Sequence, residues 1–139
     1  MTSSQDPPAQ PDPLASLLID AAEVDRAAIA NTLRDLVAID STTGSVVFRP
    51  GARLNSRQKI LAYLLGRKVS HLLGKIEIEA VHPKTIISDT GLASGTVHPK
   101  LKELREDRIV SQESDGAYWI APFQLHNALA TVKVEGDKS

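Results

Sequence analysis

From Ser56 to Gly74 the chain carries one apolar stripe at helical spacing, Ile60, Leu61, Leu64, Leu65, Val69, Leu72 and Leu73. Ser56 is placed to cap the start of this helix and Gly74 to end it. Such a helix is about 27 Å long.

The elements that follow are short and sharply punctuated. Ile76 and Ile78 alternate with Glu77 and Glu79, which predicts a short strand. His82-Pro83 then opens a brief helix carrying Ile86 and Ile87 inward, with proline at its permitted first position. Gly91 breaks the chain before a further helix running to about Asp107, whose buried edge is Val97, Leu101 and Leu104. Pro99 lacks the N–H that a helix interior must donate, which leaves two starts open: directly after Gly91-Leu92-Ala93, or near His98 with Ser94 to Val97 as an extended turn. Ile109–Glu113 and Ala117–Ile120 read as two strands around Ser114-Asp115-Gly116, because Asp-Gly favours the positive-φ turn that suits a hairpin. Of Tyr118 and Trp119, adjacent on one strand, one should face the core and the other solvent.

On either side of this stretch the pattern changes. Residues 1–13 are polar and dotted with proline, and read as a disordered tail without a secretory leader. Residues 14–50 predict a lobe of two short helices and a hairpin. Leu14, Leu17, Leu18, Ala21 and Ala22 mark the first helix, and Ala28 to Val37 the second, with Asp25 as its cap. The hairpin strands are Val37–Ile39 and Ser45–Phe48. A last amphipathic helix over 123–134 carries Leu125, Ala128, Leu129 and Val132, and a polar tail follows over 135–139. The expected class is α+β, mainly α with small β-hairpins, with residues 54–122 as the principal domain.

Charge is distributed unevenly. Met1 to Phe48 holds seven acids against Arg26 and Arg34, whereas Arg49 to Lys75 holds seven bases and no acid. That basic stretch is a natural footprint for a polyanion. The absence of cysteine excludes disulfides, cysteine-ligated zinc and thiol nucleophiles, and is compatible with a cytoplasmic location. No apolar run approaches the ~20 residues that cross a bilayer, so no membrane role is expected. His82-Pro83-Lys84 and His98-Pro99-Lys100 repeat a tripeptide, but neither histidine has a further ligand at metal spacing, so no metal is assigned. With no nucleophile elbow, phosphate loop or paired-carboxylate motif, the chain is not expected to be an enzyme or to need a cofactor.

The segment Pro83 to Val97, continued by Leu101-Lys102-Glu103-Leu104, resembles the positioning helix, turn and recognition helix of the winged helix-turn-helix domains of bacterial and archaeal transcriptional regulators. Gly91 stands where that turn needs a left-handed backbone, Leu92 fills the angle between the helices, and Val97 and Leu101 hold the second helix on the first. Ile87, where a small residue is usual, and Pro99 depart from the pattern. The resemblance implies a winged-helix core with an N-terminal helical and hairpin lobe, and binding of double-stranded DNA as a small transcriptional regulator or mobile-element protein.

The contact residues it implies are Ser94, Thr96, His98, Lys100 and Lys102 at the end of the helix that enters the major groove, and Lys84 and Thr85 at the preceding helix N-terminus. Gln112 and Ser114 would lie at the wing, and Arg53, Arg57 and Lys59 near the start of the long helix would touch phosphates. Asp115 reads as a turn former. A homodimer is expected, through the N-terminal lobe or the last helix, which would give two-fold operator symmetry. The competing expectation is a winged helix that docks a protein and does not bind DNA.

Overall fold

The computed structural model describes residues 12–18 and 21–136. The expected tail over 1–13 therefore lies almost wholly outside the described residues, and the tail over 135–139 partly so. The described residues form an α+β fold, with five α-helices and two small antiparallel hairpins among them.

The long helix α2 (Ser56–Leu72) is the axis of the fold, with Ile60 to Leu65 buried throughout. Its cap is Asn55 rather than Ser56. The Asn55 side chain accepts from the Gln58 N–H at 2.8 Å, and Gln58 Oε1 accepts from the Asn55 N–H at 2.9 Å, so two otherwise open donors are satisfied reciprocally. Gly74 lies just beyond the helix at φ 75°, the left-handed conformation expected of its stop.

Around α2 pack α1 (Ala21–Leu33), the hairpin β1 (Val37–Ile39) and β2 (Val46–Phe48), α4 (Ser94–Glu106), α3 (Pro83–Thr90) and α5 (Leu125–Gly136). Ile29, Leu33 and Val37 from the N-terminal lobe, Ile86, Val97 and Leu101 from α3 and α4, and Leu125 to Val132 from α5 all join one apolar core. The second hairpin, β3 (Ser111–Gln112) and β4 (Tyr118–Trp119), is extended by an antiparallel bridge from Val81 to Tyr118. Tyr118 is buried and Trp119 half-buried, as the alternation required.

Three further local expectations are corrected, and the start of α4 is decided. Residues Pro13–Leu17 form a 3₁₀ turn instead of a helix, and Leu14, Leu17 and Leu18 are exposed. Asp25 lies inside α1, so it caps nothing there. Ile76 and Ile78 form no strand, because Arg67 donates to the carbonyls of Ile78 and Glu79, and the ladder partner is Val81 instead. Finally, α4 begins at Ser94 and keeps Pro99 inside it. Pro99 falls in the second turn, where the missing N–H strands only the carbonyl of the exposed Gly95, which water can satisfy.

Candidate nucleic-acid interface

The pair α3 and α4 is joined by Gly91 at φ 74°, the left-handed conformation that permits so short a turn. Leu92 packs partly buried against the core, and Val97, Leu101 and Leu104 bury the inner edge of α4. The outer edge presents Ser94, Gly95, His98 and Lys102 to solvent, with Thr96 half-buried beside them.

Neither helix has a side-chain cap. The N-cap of α3 is His82 and that of α4 is Ala93, and neither first turn contains an acid. Thr85 and Thr96 donate their N–H groups to the N-cap carbonyls of His82 and Ala93, but those of Lys84, Ser94 and Gly95 meet no side-chain cap, in contrast to the reciprocal cap that closes α2. Among the described residues, no side-chain hydrogen bond or ion pair engages Lys84, Thr85, Ser94, Thr96, His98 or Lys102. The structure thus places these six expected residues on the two uncapped helix starts and along α4 as far as Lys102 in its third turn. Lys100 belongs to the same turns, half-buried and 3.7 Å from Glu103.

The other expected contacts stand apart. Arg57 Nη2 lies 2.9 Å from Asp107 Oδ2 and Nη1 3.5 Å from Glu103 Oε1. Glu103 is nine residues from Ser94, about 14 Å along the helix, so the start of α2 adjoins the far end of α4. Lys59 lies over the Phe48 ring at 5.1 Å, and Arg53 is exposed. At the second hairpin, Gln112 accepts from Arg105 Nη1 and donates to the Gly116 carbonyl, while Ser114 is exposed at the tip. Asp115 accepts from the Ala117 N–H at 3.0 Å, which makes it the turn former the sequence implied.

The basic stretch of 49–75 is therefore not a free stripe. Arg57 and Lys59 are engaged as described, Arg67 holds backbone carbonyls, and Lys68 is buried against Glu79. Sequence reasoning missed this because the partners come from other elements. It also missed an open apolar pocket of about 480 Å³ between α1, β1 and the end of α2, lined by Ile29, Leu33, Val37, Ile39, Leu72 and Leu73 among others.

Among the described residues no group of histidines and carboxylates is arranged to hold a metal, and no helix is long and apolar enough to cross a membrane. Compared with protein-family models, curated proteins and solved structures, the chain matches none of them.

Proposed function

We propose that the protein binds double-stranded DNA through a winged helix-turn-helix, with α3 as positioning helix, α4 as recognition helix and the β3–β4 hairpin as wing. The observation that carries this reading is the pair of uncapped helix starts, with Lys84, Thr85, Ser94, Thr96, His98 and Lys102 on them and along α4 with no competing partner. Open N–H groups and dipole ends favour phosphate, and polar side chains beside them can reach base edges in a major groove about 12 Å wide.

The charge of α4 sets how it would enter. His98 and Lys100 lie in its second turn, Lys102 and Glu103 side by side in its third, and Glu106 and the C-cap Asp107 at its C-terminal end. A helix laid flat in the groove would bring those carboxylates against phosphate, so insertion is end-on, with the acidic end held back by Arg57. The wing has no lysine or arginine at its tip and adds little electrostatic attraction. A role as a small transcriptional regulator or mobile-element protein follows from sequence-specific binding of this kind.

The same acidic end, with Glu113 and Asp115 on the hairpin, favours the second reading, a winged helix that docks a basic protein surface. The deciding measurement is binding to random duplex DNA at several salt concentrations, for the wild type and for Thr96→Ala/His98→Ala/Lys102→Ala. Salt-sensitive binding that the triple variant loses supports DNA. No binding by the wild type even at low salt leaves the docking reading.

A further inference from the structure

The N-terminal lobe carries two apolar surfaces that no described residue covers. One is the pocket of about 480 Å³, whose rim includes Leu72 and Leu73, 41% and 55% exposed. The other is the 3₁₀ turn ahead of α1, where Leu14, Leu17 and Leu18 are 69%, 75% and 79% exposed. In a 3₁₀ turn residues three apart share a face, so Leu14 and Leu17 form one ridge with Leu18 beside it. Three large apolar side chains so exposed within five residues mark a contact surface rather than scattered surface leucines.

The charges around the two surfaces are complementary. The first 48 residues contain only two bases, Arg26 and Arg34, and both line this pocket together with Arg49, with no acid in the lining. The leucine segment is flanked by Asp12 and Asp20 and contains no base. Arg26 Nη2 donates to the Leu72 carbonyl at 3.2 Å, which holds that guanidinium at the pocket edge.

The chain's own leucines do not fill the pocket: Leu14, Leu17 and Leu18 are absent from its lining and stay exposed. A second copy, carrying the same ridge and the same pocket, is the occupant that covers both surfaces at once.

We infer that two copies of this chain dimerise by reciprocal exchange, the Leu14-Leu17-Leu18 ridge of each entering the arginine-rimmed pocket of the other. A two-fold arrangement makes both contacts at once and leaves no exposed ridge or open pocket. This pairing is independent of the DNA reading, since it uses neither α3 nor α4.

The test uses the full chain in two forms of measurement. Sedimentation equilibrium of the wild type should show a monomer–dimer equilibrium, and Leu17→Glu/Leu18→Glu or Leu73→Glu should weaken it at least tenfold, with circular dichroism unchanged because these side chains are exposed. Because the protein has no cysteine, Leu17→Cys and Ala38→Cys variants can be mixed and oxidised cleanly. A covalent heterodimer of the two is expected. A wild type that stays monomeric, a dimer untouched by the glutamates, or a doubly substituted chain that closes its disulfide within the monomer would each overturn the proposal.

Discussion

Lys68 Nζ lies 3.0 Å from Glu79 Oε2 and 3.1 Å from Oε1, and both side chains are almost wholly buried, at 8% and 9% exposure. The same ammonium sits 5.4 Å from the centre of the Trp119 ring. One cation thus ties α2 to the segment before Val81 and to the second hairpin. Breaking a buried pair costs more than replacing it, because the remaining charge loses its partner but not its burial. Lys68→Met should therefore lose about 3–5 kcal/mol in urea unfolding, and Lys68→Met/Glu79→Leu should recover most of that loss. Equal losses in the single and double variants would show that the loss does not come from an orphaned Glu79 charge.

Gly66 marks a close approach of α2 to β2 of the first hairpin. A Cβ there would meet Val46 Cγ1 at 2.8 Å and Cγ2 at 2.9 Å. Valine in a strand has little rotamer freedom with which to yield. Gly66→Ala should cost about 1–3 kcal/mol through overpacking. Val46→Ala introduced beside it should remove that penalty, a coupling that a double-mutant cycle by thermal unfolding measures directly.

Much of the element order was legible in the sequence because its signals are local. The stripe of α2, Pro83 at the start of α3, Gly91 in the turn and Gly116 in the hairpin each act within one or two turns of chain. Periodicity misled where no neighbour supplied cover. Leu14, Leu17 and Leu18 have helical spacing yet lie exposed on a 3₁₀ turn, and Ile78 alternates like a strand residue yet is 69% exposed. Among the candidate contacts, Lys84, Thr96, His98 and Lys102 come together because they belong to one helix pair. Arg57 could not be separated from them by sequence, because its partners Glu103 and Asp107 lie 46 and 50 residues away.

Tyr63 and Asp89 couple α2 to α3 through a hydrogen bond in which the phenol donates to Oδ2. Burial, followed by this bond and the carboxylate charge, raises the Tyr63 hydroxyl above its ordinary value of 10.0. The fold favours the neutral phenol, so stability is full below pH 10 and falls as pH rises from there through the raised value. Tyr63→Phe should flatten this alkaline decline while losing stability at neutral pH, where Asp89 is left without its donor. Urea midpoints at pH 8 and pH 11 compare the two proteins, and an unchanged alkaline decline in the variant would assign it to another group.

Asp40 organises the turn of the first hairpin by accepting from the N–H groups of Thr43 and Thr42, at 3.0 and 2.8 Å. These two bonds, Thr43 first, hold its carboxyl below the usual value of 3.8. The turn is fully supported above pH 3.8, and the support is lost as pH falls through the lower value in the fold. In Asp40→Ala the Thr42 and Thr43 amides should exchange hydrogen rapidly at neutral pH, whereas in the wild type they become equally exposed only in acid. Protection that survives the substitution would mean that the Thr43 and Ser45 side chains hold the turn without Asp40.

Arg57 offers the sharpest discrimination within the proposed DNA interface. Its guanidinium is committed to Glu103 and Asp107 at the acidic end of α4, whereas Lys84 and Lys102 carry no such partners. Each phosphate neutralised contributes about 0.9 to the slope of log K against log salt. Lys84→Ala and Lys102→Ala should each lower the slope by about that amount. Arg57→Ala should weaken binding without lowering the slope by a full unit, because it uncovers two carboxylates rather than removing a phosphate contact. Thr96→Ala should leave the slope unchanged and alter discrimination between sites, since a hydroxyl reads base edges without neutralising charge. Fluorescence anisotropy across a salt series gives all four slopes. If Arg57→Ala lowers the slope as much as Lys84→Ala does, the duplex reaches the far end of α4, and end-on insertion is wrong.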